Sequence, residues 1–218
     1  MNAEPNNENW SIAPVKLDPA RGARLLMLAL VLAMAWAAQA RGQFLYRQVA
    51  LPELSQRAPI IVQGRIVEAR YEGHPDYPNL STVLVTLQVE RTLRGGAAEH
   101  LSFREFLPGL QARMGKRGYL VGQRLLLFLP EPSRYGLSSP LGGEQGRFII
   151  WRDQRGNELV ENEFRNAGLF KGLAEAAAQA GVSLSPQQAR LAGVARGPVP
   201  LEEFVSVVKQ FASVAGTE

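Results

Sequence analysis

Hydrophobic and polar side chains follow a period of two from residue 82 to residue 93. Val83, Val85, Leu87, Val89 and Leu93 fall on one face, with Arg91 the exception, and Leu84, Thr86, Gln88, Glu90 and Thr92 on the other. A period of two predicts a strand with one buried and one wet face, as in an antiparallel sheet or small barrel. Upstream, IIVQGRIVEARY at residues 60–71 is a second strand, rich in β-branched residues, and its mid-strand Gly64 marks a bulge or sharp coil. Residues 101–105 resume the alternation after the turn Arg94-Gly95-Gly96. The run 123–129, QRLLLFL, is continuously apolar and stopped by Pro130, which suits a strand buried on both faces. Residues 147–152 and 158–160 flank Asp153-Gln154-Arg155-Gly156 as a hairpin.

Helical signals bracket these strands. Residues 51–58 form a short helix with Pro52 in its first turn, and Pro59 ends it. From about residue 168 the chain turns helical again. Ser185, Pro186 and Gln188 make a capping box, and Leu201, Phe204, Val205, Val208, Phe211 and Ala212 form one stripe of a last helix. The expected architecture is mainly β: an OB-like antiparallel barrel of five or six strands, with a short N-terminal helix and two C-terminal helices.

The N-terminal 40 residues belong to a different class. Arg21 and Arg24 precede an uncharged apolar run at 25–38, closed by Ala38-Gln39-Ala40. Basic, apolar and small-x-small parts in that order are those of a secretory signal peptide. About 14 apolar residues make a helix of roughly 21 Å, short of the ~30 Å hydrocarbon core, which favours cleavage. The long polar lead at residues 1–20 fits either a misplaced start codon or the cytoplasmic tail of the alternative, an uncleaved signal anchor in the inner membrane. Either way residues 41–218 are expected to form a single domain outside the cytoplasm, secreted or periplasmic.

Composition narrows the chemistry. With no cysteine in the chain, thiol catalysis, zinc–thiolate sites and redox chemistry are excluded. The net charge of +4 is carried mostly by scattered arginines. The tightest basic cluster, Arg113, Lys116 and Arg117, lies among glycines and a methionine rather than stacking aromatics, so nucleic acid is not the expected partner.

Several segments in order carry a resemblance. They are 58–67 (APIIVQGRIV), 85–95 (VTLQVERTLRG), 121–129 (VGQRLLLFL), 142–148 (GGEQGRF) and 199–204 (VPLEEF). The series is similar to uncharacterised secreted bacterial proteins, some associated with matrixin-type metalloproteases. Its strand order resembles the netrin-like OB barrel of tissue inhibitors of metalloproteinases. The resemblance implies a fold and an exported location, and supplies no catalytic residue. Those inhibitors chelate the protease zinc through an N-terminal cysteine, which this chain lacks.

Candidate chemistry is sparse. His74 and His100 are the only histidines. Glu72, His74 and Asp76 would share one side of an extended segment and are weak candidates for a divalent metal or a His–Asp pair in a metal-assisted hydrolase. The favoured reading of the segment is a solvated turn, given the His-Pro and Tyr-Pro dipeptides. Gly142, Gly143 and Gly146 precede a strand, so no helix N-terminus is offered to a phosphate. Ser138 and Ser139 lack a glycine elbow. No cofactor is implied. Trp151 is placed opposite Phe148 and Ile150 on its strand. If those two are core, it is free to stack a ligand; the competing reading buries it under the C-terminal helices.

The sequence therefore points to an exported, non-enzymatic domain that binds a protein partner, a secreted or periplasmic protease among the classes. The expected contact surface is the loops 72–80, 106–118 and 133–146, with Tyr77, Arg113, Lys116, Arg117 and Trp151 as contact residues. The alternative is a barrel that binds cell-envelope glycan through Trp151. Contact with a membrane is expected only through the N-terminal segment.

Overall fold

The computed structural model describes residues 47–96, 98–108 and 118–214. The chain divides into two units, Met1–Tyr46 and Arg47–Glu218. The predicted export segment and the basic cluster Arg113, Lys116 and Arg117 lie outside the described residues. No helix among the described residues is long and apolar enough to cross a membrane.

The elements run α1 (Leu51–Arg57), β1 (Ile60–Gly73), β2 (Ser81–Arg94), β3 (His100–Phe106), β4 (Arg124–Leu129), β5 (Arg147–Arg152), β6 (Glu158–Asn162), α2 (Leu173–Gln179), α3 (Pro186–Arg190), β7 (Val199–Pro200) and α4 (Leu201–Val214). The strands form one antiparallel sheet in the order β3-β2-β1-β4-β5-β6-β7. The mainly β class holds, but the expected closed barrel is not found, because the sheet is open. Seven strands replace five or six, and three helices rather than two follow β6.

The open side has a local cause. Residues 133–141, in the loop between β4 and β5, make one parallel bridge, Arg104 with Leu137, and donate Ser138 N–H to Arg104 O at 2.8 Å. Prolines at 130, 132 and 140 remove the donors a longer ladder would need. The sheet is nevertheless curled around an interior. Val62, Ile66, Val83, Val85, Leu87, Phe103, Leu125, Leu127 and Leu129 bury together there with Tyr119. Tyr119 reaches across this interior, its hydroxyl donating to Glu105 on β3 while the Arg147 guanidinium of β5 lies 4.2 Å from its ring centroid.

The other face carries the helices. Ile61, Leu126, Phe128, Phe148, Ile150 and Val160 meet Leu51, Leu54, Leu173 and the stripe of α4. Phe204 is the hinge of this layer, its ring 5.0 Å from Phe148 and 6.2 Å from Phe170. Each such ring contributes roughly 1.5–3 kcal/mol by burial. β4 is thus buried on both faces, as its unbroken apolar run predicts: odd positions face the curled interior and even positions the helices.

The alternation of β2 does not persist over its whole length. Register slips against β1 fall between Ile61/Val62, Gln63/Gly64 and Ile66/Glu68. They leave Leu93, Glu90 and Val67 as the extra residues of bulges, which change which side the next residue faces. Leu93 therefore packs with the helix-side cluster, apart from Val83, Val85 and Leu87. Arg91, the residue that broke the sequence pattern, faces the helix layer and makes a bidentate pair with Glu202 of α4 at 3.0 and 3.1 Å. Gly64 sits at one of these slips, where a Cβ would lie 2.6 Å from Gln88 O.

Candidate functional site

The loops at 74–80 and 133–141 meet beside β3. The first is closed by His74 N–H to Leu80 O and Leu80 N–H to Tyr77 O. The second is a turn on Ser133, whose hydroxyl oxygen accepts from Tyr135 N and Leu137 N, with Gly136 at φ 68°. That φ is one only glycine adopts without cost.

His74 clips the loops together. Its residue is 4 % exposed. Asp76 N–H donates to Nδ1 at 3.1 Å, and Nε2 lies 2.8 Å from Tyr135 O. Because Nδ1 accepts, the ring hydrogen is on Nε2, which donates to the carbonyl. Above this clip Tyr77 and Tyr135 stand 45 % and 41 % exposed, their rings edge to face at 5.5 Å. The Tyr77 ring lies 5.2 Å from His74, and the Arg134 guanidinium 4.6 Å over Tyr135. Together with Arg104 and Asp76 these side chains line a cleft of about 340 Å³.

Arg104 fixes the cleft floor. It donates to Thr82 Oγ1 at 2.9 Å and to Glu72 Oε1 at 2.8 Å, while Thr82 Oγ1 donates to Glu72 O. The three residues weighed as a metal or acid–base set are therefore separated by their partners: Glu72 is held by Arg104, both His74 nitrogens are engaged by backbone groups, and Asp76 contributes its amide. No group of three or more His, Asp or Glu that could hold a metal occurs among the described residues. Ser138 is buried and donates to Pro130 O. What the arrangement offers chemically is contact surface: two rigid aromatic rings and two guanidiniums.

Trp151 marks a second cleft, of about 430 Å³, with Arg65, Glu90, Arg124, Ile150 and Arg152. Phe148 and Ile150 are buried beneath the helices, so Trp151 faces away from that layer and is half-buried. The reading that buried it under the C-terminal helices does not hold. Behind it runs a row of charges across five strands. Arg124 donates to Glu90 at 2.8–3.0 Å and to Glu158 at 2.7 Å. Burial pushes the Glu90 carboxyl up, but hydrogen bonds from Arg124 and Gln63 and the charges of Arg124 and Arg65 outweigh it and hold it below the usual range. Glu158 is held low chiefly by its hydrogen bond from Arg124.

Of the residues singled out from sequence, His74, Asp76 and Tyr77 come together in the first cleft and Trp151 lines the second. Tyr135, Arg134 and Arg104 were not anticipated. The only trace of the first two is the turn Ser133-Arg134-Tyr135-Gly136, a serine and a glycine bracketing an aromatic.

No family model matches the chain, and neither a curated protein nor a solved structure matches it. Nothing in these comparisons links it to the netrin-like inhibitors.

Proposed function

We propose that this chain is an exported, non-enzymatic module that holds a protein partner through the Tyr77–Tyr135 cleft. The observation that carries the reading is the His74 clip, which pre-sets two loops bearing exposed tyrosines. Tyrosine and arginine dominate the energetics of protein interfaces, and rings held before contact lose little freedom on binding. Arg134 over Tyr135 adds a cation beside the aromatic pair. The partner is a protein outside the cytoplasm, and a secreted protease is among the classes to test. The same reading takes the curled sheet as an opened OB-like barrel, supported by β1 pairing with both β2 and β4 and by the parallel contact of Leu137 with β3.

The test uses the full chain as bait against the host's envelope and secreted fractions, beside a Tyr77→Ala/Tyr135→Ala double variant. Neither ring belongs to either buried cluster, so the variant is expected to melt within a few degrees of the wild type. A partner captured by the wild type and lost by the variant supports the reading. A partner retained by the variant, or none captured by well-folded bait, overturns it.

A further inference from the structure

We propose that the outer edge of β3 takes up an extended segment of a partner protein as an added strand. This rests on the reading above only in taking the partner to be a protein, and the tyrosine cleft is not needed for it.

β3 ends the described sheet, with β2 on its inner side. In an antiparallel pair the backbone groups of successive residues point alternately to the neighbour and away from it. Two bonds fix the phase here: Leu107 N–H donates to Ser81 O, and Val89 N–H donates to Glu99 O. The register between these points has no slip, so residues 99, 101, 103, 105 and 107 serve β2. The N–H and C=O groups of His100, Ser102, Arg104 and Phe106 therefore face outward. Arg104 O accepts from Ser138 N–H at 2.8 Å, within the parallel bridge to Leu137. His100 and Ser102 are exposed, and their outward groups make no backbone bond among the described residues.

The molecule itself shows what this edge accepts. Leu137 and Ser138 dock on Arg104 as a strand one residue long. In a parallel pairing the residues before Leu137 would run on beside Phe103 and Ser102. The turn on Ser133 takes them away instead, through Ser133 N–H to Leu137 O and Gly136 N–H to Ser133 O. Two outward positions are left, about 6.8 Å apart, the repeat at which another extended backbone presents its own N–H and C=O. The devices that blunt an edge are missing, since β3 holds no proline, no bulge and no lysine. Its arginine, Arg104, is engaged by Glu72 and Thr82.

Side chains set the pattern of the occupant. Ser102 stands on the outer face, its Oγ 2.9 Å from Thr86 Oγ1. Leu101 and Phe103 pack with the cluster in the curled interior. Residues of an added strand opposite Leu101 and Phe103 would carry that apolar cluster across the open side, while those opposite His100 and Ser102 would stay in water. The segment that fits is short, extended and apolar at every second position.

The test pans a phage-displayed library of linear heptapeptides against the full chain. Enriched sequences are synthesised with a fluorescent label and titrated by fluorescence polarisation. Apolar residues are expected at alternate positions. Ser102→Pro and His100→Pro each delete one outward N–H and leave the bonds to β2 intact. Proline is tolerated at a solvent-facing edge position and at the first residue of a strand, and circular dichroism checks the folding of each variant. Each is expected to bind at least about ten-fold more weakly than the corresponding alanine variant, which keeps the N–H. Bound peptide is expected to slow amide exchange at His100 and Ser102. Should Ser102→Pro fail to fold, His100→Pro and the exchange measurement decide. The proposal is overturned by a library without enriched alternating sequences, by equal affinities of the proline and alanine variants, or by unchanged exchange at residues 100 and 102. A peptide lost from Tyr77→Ala/Tyr135→Ala but kept by both proline variants sits in the tyrosine cleft, which overturns the strand addition and leaves the loop reading standing.

Discussion

The His74 clip can be tested without disturbing the packing around it. In His74→Phe the ring volume stays and so does the contact with Tyr77 at 5.2 Å, but both ring nitrogens are removed. Two hydrogen bonds vanish, Nε2 to Tyr135 O at 2.8 Å and Asp76 N to Nδ1 at 3.1 Å. Each is worth about 0.5–1.5 kcal/mol net, and both orphaned backbone groups belong to exposed residues that water reaches. The expected loss is therefore about 1–3 kcal/mol, a drop of several degrees in melting temperature for a domain of this size. Urea unfolding gives the global number, and amide hydrogen exchange gives the local one. Asp76 N–H is expected to exchange faster in the variant while the β2 amides of Val83 and Val85 keep their protection pattern. Partner affinity is expected to fall with the loss of pre-ordering even though neither tyrosine is altered. Unchanged stability together with unchanged exchange at Asp76 would refute the clip as what joins the loops.

Two further outcomes follow from buried geometry. Glu105 is pushed above the ordinary glutamate range chiefly by burial, with the Tyr119 hydrogen bond opposing, Glu144 adding and Arg147 opposing. The folded chain then keeps this proton to higher pH than the unfolded chain, so stability falls as pH rises from the ordinary glutamate value through the raised one. Glu105→Gln is expected to flatten that fall in urea titrations run upward in pH from the ordinary glutamate value, and a slope left unchanged would count against it. Gly64→Ala would set a Cβ 2.6 Å from Gln88 O at the bulge, and a loss of about 3 kcal/mol is expected by thermal or urea unfolding. A neutral result would mean that β1 and β2 yield where their register slips.

What could be read from the sequence was whatever depends on period and on capping chemistry. β4 needed only its unbroken apolar run. α3 needed Ser185 and Gln188, whose reciprocal bonds are both present. α4 needed a stripe that puts Phe204 and Phe211 on one side. Helix α2 was legible only as helical character from about residue 168, without bounds of its own, because LAEAAAQ buries only Leu173 and Ala177, too little for a periodic signal over seven residues. The phase of β2 escaped because a bulge is a relation between two strands. The misplaced Arg91 was its only local mark, and its meaning required Glu202, 111 residues further on.

The clefts were less legible than the fold for a related reason. His74 is joined to Tyr135 across 61 positions by a backbone carbonyl, a group that every residue carries, so no side-chain pattern records the contact. The sequence showed that residue 74 had chemistry to offer and left open whether a metal or a turn would use it. Both nitrogens go to the turn. Trp151 was more tractable, because alternation along β5 reduced the question to which face is core. The answer came from Phe148 beneath Phe204, 56 positions away in the chain but 5.0 Å in space. Once that ring pair places one face of β5 under the helices, Trp151 is left on the other, while Arg65, Arg124 and Arg152 carry the same face as Ile150. Arg65, Arg124 and Arg152 look scattered in the sequence because each comes from a separate strand. Register alone makes them one charged surface: Arg65 pairs with Arg124 across β1 and β4, and Arg124 pairs with Ile150, two positions before Arg152, across β4 and β5.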